Sequence, residues 1–190
     1  MWPCIKNAVE YMISFTDEQT GLPQPSYDLW EERFGEHSYS AAAVYGGIKA
    51  GADIAQKLGK YAKCREWSDF ADKLKESILE KMWSDENGCF IRSIKTKLNP
   101  WGNEYSENTA IISYNSKDNY KEVTLEDKRV DVSLLGLSVP FEVLEAKDSR
   151  MRSTAEQVER LLTFDVGGLG RYEDDTYIGG NPWIITTLWA

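Results

Sequence analysis

The sequence has few of the residues that build disulfide frameworks and metal sites. Its 190 residues include three cysteines, Cys4, Cys64 and Cys89, and one histidine, His37. Three scattered cysteines are too few for a disulfide framework and lack the spacing of a zinc site. We therefore expect no metal and no cofactor. We also expect a reducing, cytoplasmic location, and the absence of an Asn-x-Ser/Thr sequon agrees with this.

Positive charge and long apolar runs are also scarce. Lys and Arg number 22 against 31 Asp and Glu, which gives a net charge of −9. Such an acidic chain is a poor partner for nucleic-acid phosphates and for anionic membrane surfaces. No apolar run approaches the roughly 20 residues that span a bilayer. Lys6, Asn7 and Glu10 interrupt the apolar pattern of residues 1–15, which therefore does not resemble a secretory leader.

Aromatic residues, by contrast, make up 12% of the chain. Many of them lie beside Gly, Pro, Asn or acidic residues rather than inside apolar runs. Such rings suit hydroxylated ligands, because the ring face contacts C–H groups while nearby carboxylates accept from hydroxyls. Alternatively, they anchor long loops on the core. The residues in question are Tyr27, Trp30, Trp101, Tyr105, Tyr172, Tyr177 and Trp183.

Apolar periodicity predicts a helical domain with long loops. A short strand over 89–94 follows a turn, and no linker divides the chain, so we expect one domain over 1–190. The last helix lacks a stop signal, which indicates a segment of a longer protein. The pattern predicts about six helices and one minor hairpin, with helices at 2–15, 38–59, 61–83, 149–162, a long one opening at 131–137 before Pro140, and a last one near Trp183 with Pro182 in its first turn.

The first candidate site is the segment 25–32, which holds three carboxylates and two aromatic rings. A glycosidase needs a carboxylic acid that stays protonated beside the leaving oxygen. Burial against an aromatic ring and repulsion from a second carboxylate both favour this state, and Trp30, Glu31 and Glu32 supply both influences. The alternative is an acidic helix start, which the helix dipole favours.

The second candidate site is the loop 167–183, in which Arg171 lies among three acidic residues and two tyrosines. It lacks the Lys-Ser/Thr of a phosphate-binding loop and the ligand spacing of an EF-hand. Arginine and carboxylate groups together suit the vicinal hydroxyls of a sugar. The alternative is a glycine-rich turn with a surface ion pair. His37 follows the first site, and we expect it to cap or pack rather than catalyse, because no nucleophile motif accompanies it.

Together the two segments resemble the glucoamylase family of glycoside hydrolases, family 15, in its prokaryotic branch. The resemblance rests on Gly21–Arg33 and Gly168–Trp183, and it extends to the helix starts at 41–47 and 131–137. It covers nearly the whole chain and is weakest over 95–128. It implies an all-α (α/α)6 barrel of twelve helices, of which this chain forms about half, and exo-acting hydrolysis of α-glucosidic bonds with inversion.

The resemblance also implies roles for individual residues. Glu31 matches the general acid of the family. The general base, and an Arg-Asp pair that holds the non-reducing sugar, are expected outside residues 1–190, so this segment alone is expected to be inactive. The candidate substrate-binding residues are Tyr27, Trp30, Glu32, Arg171, Asp175 and Trp183.

Two other functions stay open at this point. One is a carbohydrate-binding or regulatory relative that keeps the barrel without turnover. The other is trehalase or glucodextranase specificity within the same family. An α-glucan or oligosaccharide is the expected partner, and a second copy of the chain, in solution or in a crystal, is a candidate to cover the open half of the barrel.

Overall fold

The computed structural model describes residues 1–98, 108–113 and 120–190. Trp101 and Tyr105, two of the loop aromatics singled out above, lie outside the described residues. Two short 3₁₀ helices are present at Val132–Leu137 and Tyr177–Gly179. The α-helices of the described part are α1 (Trp2–Ser14), α2 (Ser38–Lys57), α3 (Tyr61–Lys81), α4 (Ser149–Leu162) and α5 (Ile184–Trp189).

The strands of the described part are short and lie in the connections between helices. They are β1 (Ser26–Tyr27), β2 (Phe34–His37), β3 (Trp83–Ser84), β4 (Cys89–Phe90), β5 (Ser93–Ile94), β6 (Thr109–Ser113) and β7 (Tyr120–Thr124). β2 pairs antiparallel with both β1 and β5, and β3 pairs with β4. β6 pairs with β7 from Thr109 opposite Thr124 to Ser113 opposite Tyr120.

The main core lies between α1, α2 and α3. The link between α2 and α3 turns at Gly59, whose φ of 68° is a conformation that glycine adopts without strain. Gly51 of α2 lets α1 approach closely, because a Cβ there would lie 2.5 Å from Cγ2 of Val9. Trp67 is fully buried beneath this contact and stacks on Trp2 with ring centroids 5.7 Å apart.

The periodic segments confirm the helix predictions at 2–15, 38–59, 61–83 and 149–162 within two residues. The prediction of a long helix opening at Asp131 is wrong, because only the 3₁₀ helix Val132–Leu137 forms. Pro140 has no N–H to continue a helix. The last helix begins at Ile184, so Pro182 lies before its first turn.

The β structure exceeds the predicted minor hairpin. The predicted strand at 89–94 is divided into β4 and β5, which pair with different partners. The polar stretch 95–128 contains the β6–β7 pair, in addition to the one minor hairpin that the sequence predicts. These strands are too short or too polar to give a clear two-residue period.

A second, smaller core lies beneath the second candidate site. It joins α4, the segment around Val130 and Leu169, and receives Trp30 and Trp189 as partly buried neighbours. The opposite face of α5 is apolar and exposed, with Ile184 83% and Leu188 81% accessible. Among the described residues, no helix has both the length and the apolar character needed to cross a bilayer.

Candidate active site

The first candidate segment is a tight turn between β1 and β2, not the start of a helix. One carboxylate oxygen of Asp28 accepts from the backbone N–H of Glu32 at 2.7 Å and of Arg33 at 3.3 Å. The backbone N–H of Asp28 donates to the Arg33 carbonyl at 2.9 Å. Glu31 lies at the tip with φ 57°, in the left-handed region. The acidic residues therefore build a turn that presents Glu31 outward.

His37 holds the two ends of this turn together. Its Nε2 lies 3.2 Å from the Ser26 carbonyl and 3.1 Å from the Arg33 carbonyl. Carbonyl oxygens only accept, so Nε2 carries the proton and donates. Burial lowers the pKa of His37 and favours the neutral ring. This packing role agrees with the expectation for His37.

The second candidate segment is organised around the Arg171 guanidinium. Its Nε and Nη2 donate to the two oxygens of Asp175 at 2.8 and 2.7 Å, a bidentate pair. Asp175 also accepts from the backbone N–H of Tyr177 at 2.9 Å. The Arg171 side chain is buried, and its Cζ lies 5.0–5.2 Å from the ring centroids of Trp30, Tyr177 and Trp183. This is a buried ion pair, so the surface ion pair considered as an alternative is excluded.

The two segments meet through Glu32. One of its carboxylate oxygens lies 2.9 Å from Nη1 of Arg171, and the other accepts from the Tyr172 hydroxyl. Trp30 also packs over Arg171. The structure therefore brings together five of the predicted residues: Trp30, Glu32, Arg171, Asp175 and Trp183.

Glu31 and Tyr27 have a different environment. The Glu31 side chain is exposed, so the expected burial against an aromatic ring is absent in the described part. The indole N–H of Trp30 donates to Asp131 at 2.9 Å. Tyr27 is 51% exposed and packs edge-on against Phe34, with ring centroids 5.3 Å apart. Both side chains are therefore exposed to solvent, unlike the buried cluster around Arg171.

A further group of buried charged side chains surrounds the ring of Tyr172, and it was not predicted from the sequence. Asp127 accepts from Nε of Arg92 at 3.1 Å and lies 3.6 Å from Nε of Arg33. Although its own burial acts in the opposite direction, the two guanidiniums hold the pKa of Asp127 below its usual range. The guanidinium carbons of Arg33 and Arg92 each lie 4.8 Å from the ring centroid of Tyr172, and that of Arg171 lies 5.1 Å from it.

A sequence signal was available for part of this group. Arg92 directly follows the apolar residues 89–91 within the predicted strand, and a charge at such a position requires a buried partner. The partners, Asp127 and Asp131, lie 35 or more residues further on in polar sequence. No local pattern distinguishes them from surface carboxylates.

The cavity between α4 and α5 is lined by residues other than the predicted site residues. In residues 1–98, 108–113 and 120–190, no group of three or more His, Cys, Asp or Glu side chains could hold a metal ion. A cavity of about 530 Å³ lies between α4 and α5, lined among others by Arg152, Glu156 and Thr187. None of the predicted site residues lines it. The described side chains that meet at the site are carboxylates, guanidiniums and aromatic rings.

Comparisons with known proteins place this arrangement in a family. The model of "Glycosyl hydrolases family 15" matches residues 1–190. An uncharacterized glycosyl hydrolase of Methanocaldococcus jannaschii is 34% identical over 192 residues, covering 99% of this chain and 25% of that protein. A glucoamylase of Saccharomycopsis fibuligera is 26% identical over 200 residues, covering 98% of this chain and 35% of that protein.

A solved structure shows the same fold. The structure named "Glycosidase Wild Type" superposes on this chain with a TM-score of 0.67 at 21% identity. The match covers 96% of this chain and 38% of that one. The chain thus spans between a quarter and two fifths of the length of these matched proteins. It has the architecture of part of an (α/α)6 barrel, with few strands. Since the family model matches every residue from 1 to 190, the chain belongs to the glycosyl hydrolases of family 15.

Proposed function

We propose that the whole protein hydrolyses terminal α-glucosidic bonds of α-glucans or oligosaccharides with inversion, and that Glu31 is its general acid. The observation that carries this proposal is the contact between the two segments, in which Glu32 of the first lies 2.9 Å from Arg171 of the second. This contact supports the proposal, because it joins the turn that carries the exposed Glu31 to a cationic cluster with aromatic walls, a combination that suits a leaving oxygen and a sugar ring.

Each residue has a part in this mechanism. Glu31 protonates the leaving oxygen, while Trp30 and Trp183 contact the sugar faces and Arg171, held by Asp175, binds hydroxyls. Inversion requires a second carboxylate about 6.5–9.5 Å from the first, with a water between them. We propose that this base lies outside residues 1–190, that these residues are one undivided part of the catalytic domain, and that they are inactive alone.

The test is Glu31→Gln in the full-length protein. Gln keeps the size and removes the transferable proton, so glucose release from an α-1,4-glucan should fall about 10²–10⁴-fold. Glu142→Gln is the matched control, because Glu142 is also an exposed glutamate in the left-handed region, with φ 55°. Near-normal activity of Glu31→Gln, or equal losses in both variants, would reject the assignment of Glu31.

Two further measurements separate the alternative functions. Proton NMR of the first product distinguishes inversion, which releases β-glucose, from retention. A panel of α-1,4-glucan, α-1,6-glucan and trehalose identifies the specificity. A wild-type protein that binds these sugars without releasing glucose would instead be a carbohydrate-binding relative.

A further inference from the structure

The indole N–H of Trp30 has a specific acceptor far away in the sequence. It donates to Oδ2 of Asp131 at 2.9 Å, across 101 residues. The Asp131 side chain is fully buried, whereas Trp30 is half-buried. A fully buried carboxylate is costly unless its partners are fixed, so its presence calls for an explanation.

Asp131 is itself held from two other sides. Its Oδ1 accepts from the backbone N–H of Ser133 at 2.8 Å, which caps the 3₁₀ helix Val132–Leu137. Nη1 of Arg92 lies 3.5 Å from its Oδ2. Arg92 is in turn held by Asp127 and by the ring of Tyr172. The acceptor of the Trp30 N–H therefore has little freedom to move.

We propose that Asp131 is a positioning residue, which fixes the orientation of the Trp30 ring in the site and thereby the adjacent turn tip that carries Glu31. This inference rests on the function proposed above. The Trp30 ring is constrained on one side by the Asp131 hydrogen bond and on another by Arg171, 5.2 Å from its centroid. Without Asp131, only packing would set the rotation of the ring.

A carboxylate is required here rather than an amide. Three donors face the two oxygens of Asp131: the Ser133 backbone N–H, the Trp30 indole N–H and the Arg92 guanidinium. In Asp131→Asn one oxygen becomes an NH₂ group, which can only donate. In either orientation of the amide, its NH₂ group then faces at least one of these three N–H donors, and two donors cannot form a hydrogen bond with each other. The variant keeps the shape and loses at least one of the three contacts.

The test is a double-mutant cycle in the full-length protein with Trp30→Phe and Asp131→Asn. Asp131→Asn removes the charge of the acceptor in either orientation of the amide, and in one orientation it also removes the hydrogen bond to Trp30. We therefore expect kcat/KM to fall by roughly tenfold in this variant. If Asp131 acts through Trp30, it should cause no further loss when added to Trp30→Phe. The matched control is Asp148→Asn, since Asp148 caps α4 by accepting from the Arg150 N–H at 2.9 Å. This control should leave kcat/KM unchanged.

Additive losses in the double variant, or no loss in Asp131→Asn, would overturn the proposal. A second measurement requires neither turnover nor an Asp131 variant. The indole N–H resonance of Trp30, assigned by its disappearance in Trp30→Phe, should exchange slowly with solvent. Rapid exchange would refute the hydrogen bond. An active Glu31→Gln would reject the proposed function instead, so the two failures are distinguishable.

Discussion

Glu31 and Glu32 are neighbours in sequence but have opposite environments, and the same substitution should therefore affect them differently. The Glu31 side chain is exposed, whereas the Glu32 side chain is 0% accessible and contacts two buried guanidiniums and a tyrosine hydroxyl. Glu31→Gln should change kinetics without changing stability. Glu32→Gln should reduce stability and weaken substrate binding.

The expected loss of stability follows from the contacts of Glu32. Its oxygens lie 2.9 Å from Nη1 of Arg171 and 3.2 Å from Nη1 of Arg33. Removing one partner of a buried ion pair costs about 3–5 kcal/mol. Both arginines keep other carboxylates, Asp175 for Arg171 and Asp127 for Arg33, and Gln keeps one acceptor oxygen. We therefore expect Glu32→Gln to lower the free energy of unfolding by about 2–3 kcal/mol, below that range.

Urea-induced unfolding of the full-length wild type and of the variants Glu31→Gln, Glu32→Gln and Glu142→Gln measures this difference. The two exposed positions should stay within about 0.5 kcal/mol of wild type. KM should rise in Glu32→Gln, because Arg171 loses the anion that holds it against the turn. An unfolding midpoint of Glu32→Gln equal to that of wild type would show that Glu32 does not join the two segments, and the argument for a shared site would fail.

Two further predictions concern the surroundings of the site. Because burial lowers the pKa of His37, the unfolded chain, with a pKa of about 6.5, binds its proton more readily than the native state. The free energy of unfolding of wild type should therefore fall relative to that of His37→Gln as the pH drops below about 6.5. If the two free energies change in parallel between pH 7.5 and 5, the prediction is contradicted. In the main core, Gly51→Ala should destabilise by roughly 1 kcal/mol through its clash with Val9, and Val9→Ala should relieve that clash. In Gly47→Ala the new methyl group meets only the flexible Met12 thioether, at 3.2 Å, so this variant should be neutral in the same urea unfolding assay. Equal effects of the two glycine variants would refute the packing argument.

The helices could be predicted from sequence where one face is buried along several turns. In α3, for example, Trp67, Ala71, Leu74 and Ile78 recur every three or four residues and are all buried. The segment after Asp131 has a comparable apolar content, yet the chain there forms a single 3₁₀ helix before Pro140. The apolar content of this segment alone did not show that it would form a single 3₁₀ helix rather than a long α-helix.

The site was predictable only in part, for a related reason. The residues around Trp30 and Arg171 were found because they cluster in short motifs with an unusual composition. Asp127 and Asp131 could not be singled out from the sequence, because the residues that they contact, Arg92 and Trp30, are distant in sequence. A carboxylate in a polar stretch has the same local appearance whether it is buried or exposed. Only the fold shows that these two are buried.

The buried charges around Tyr172 are not an efficient source of stability. Seven ionisable side chains near this ring are less than a tenth exposed: Asp28, Glu32, Arg33, Arg92, Asp127, Asp131 and Arg171. The free-energy cost of desolvating such groups often exceeds the gain from their mutual attraction. Apolar residues of similar volume commonly stabilise a fold as well or better. What the charges do supply is directional contact between segments 28–33, 92, 127–131 and 171–175. Since a turn with an exposed tip cannot be positioned by its own burial, such directional contacts are the means by which this chain can hold Glu31 in a defined place.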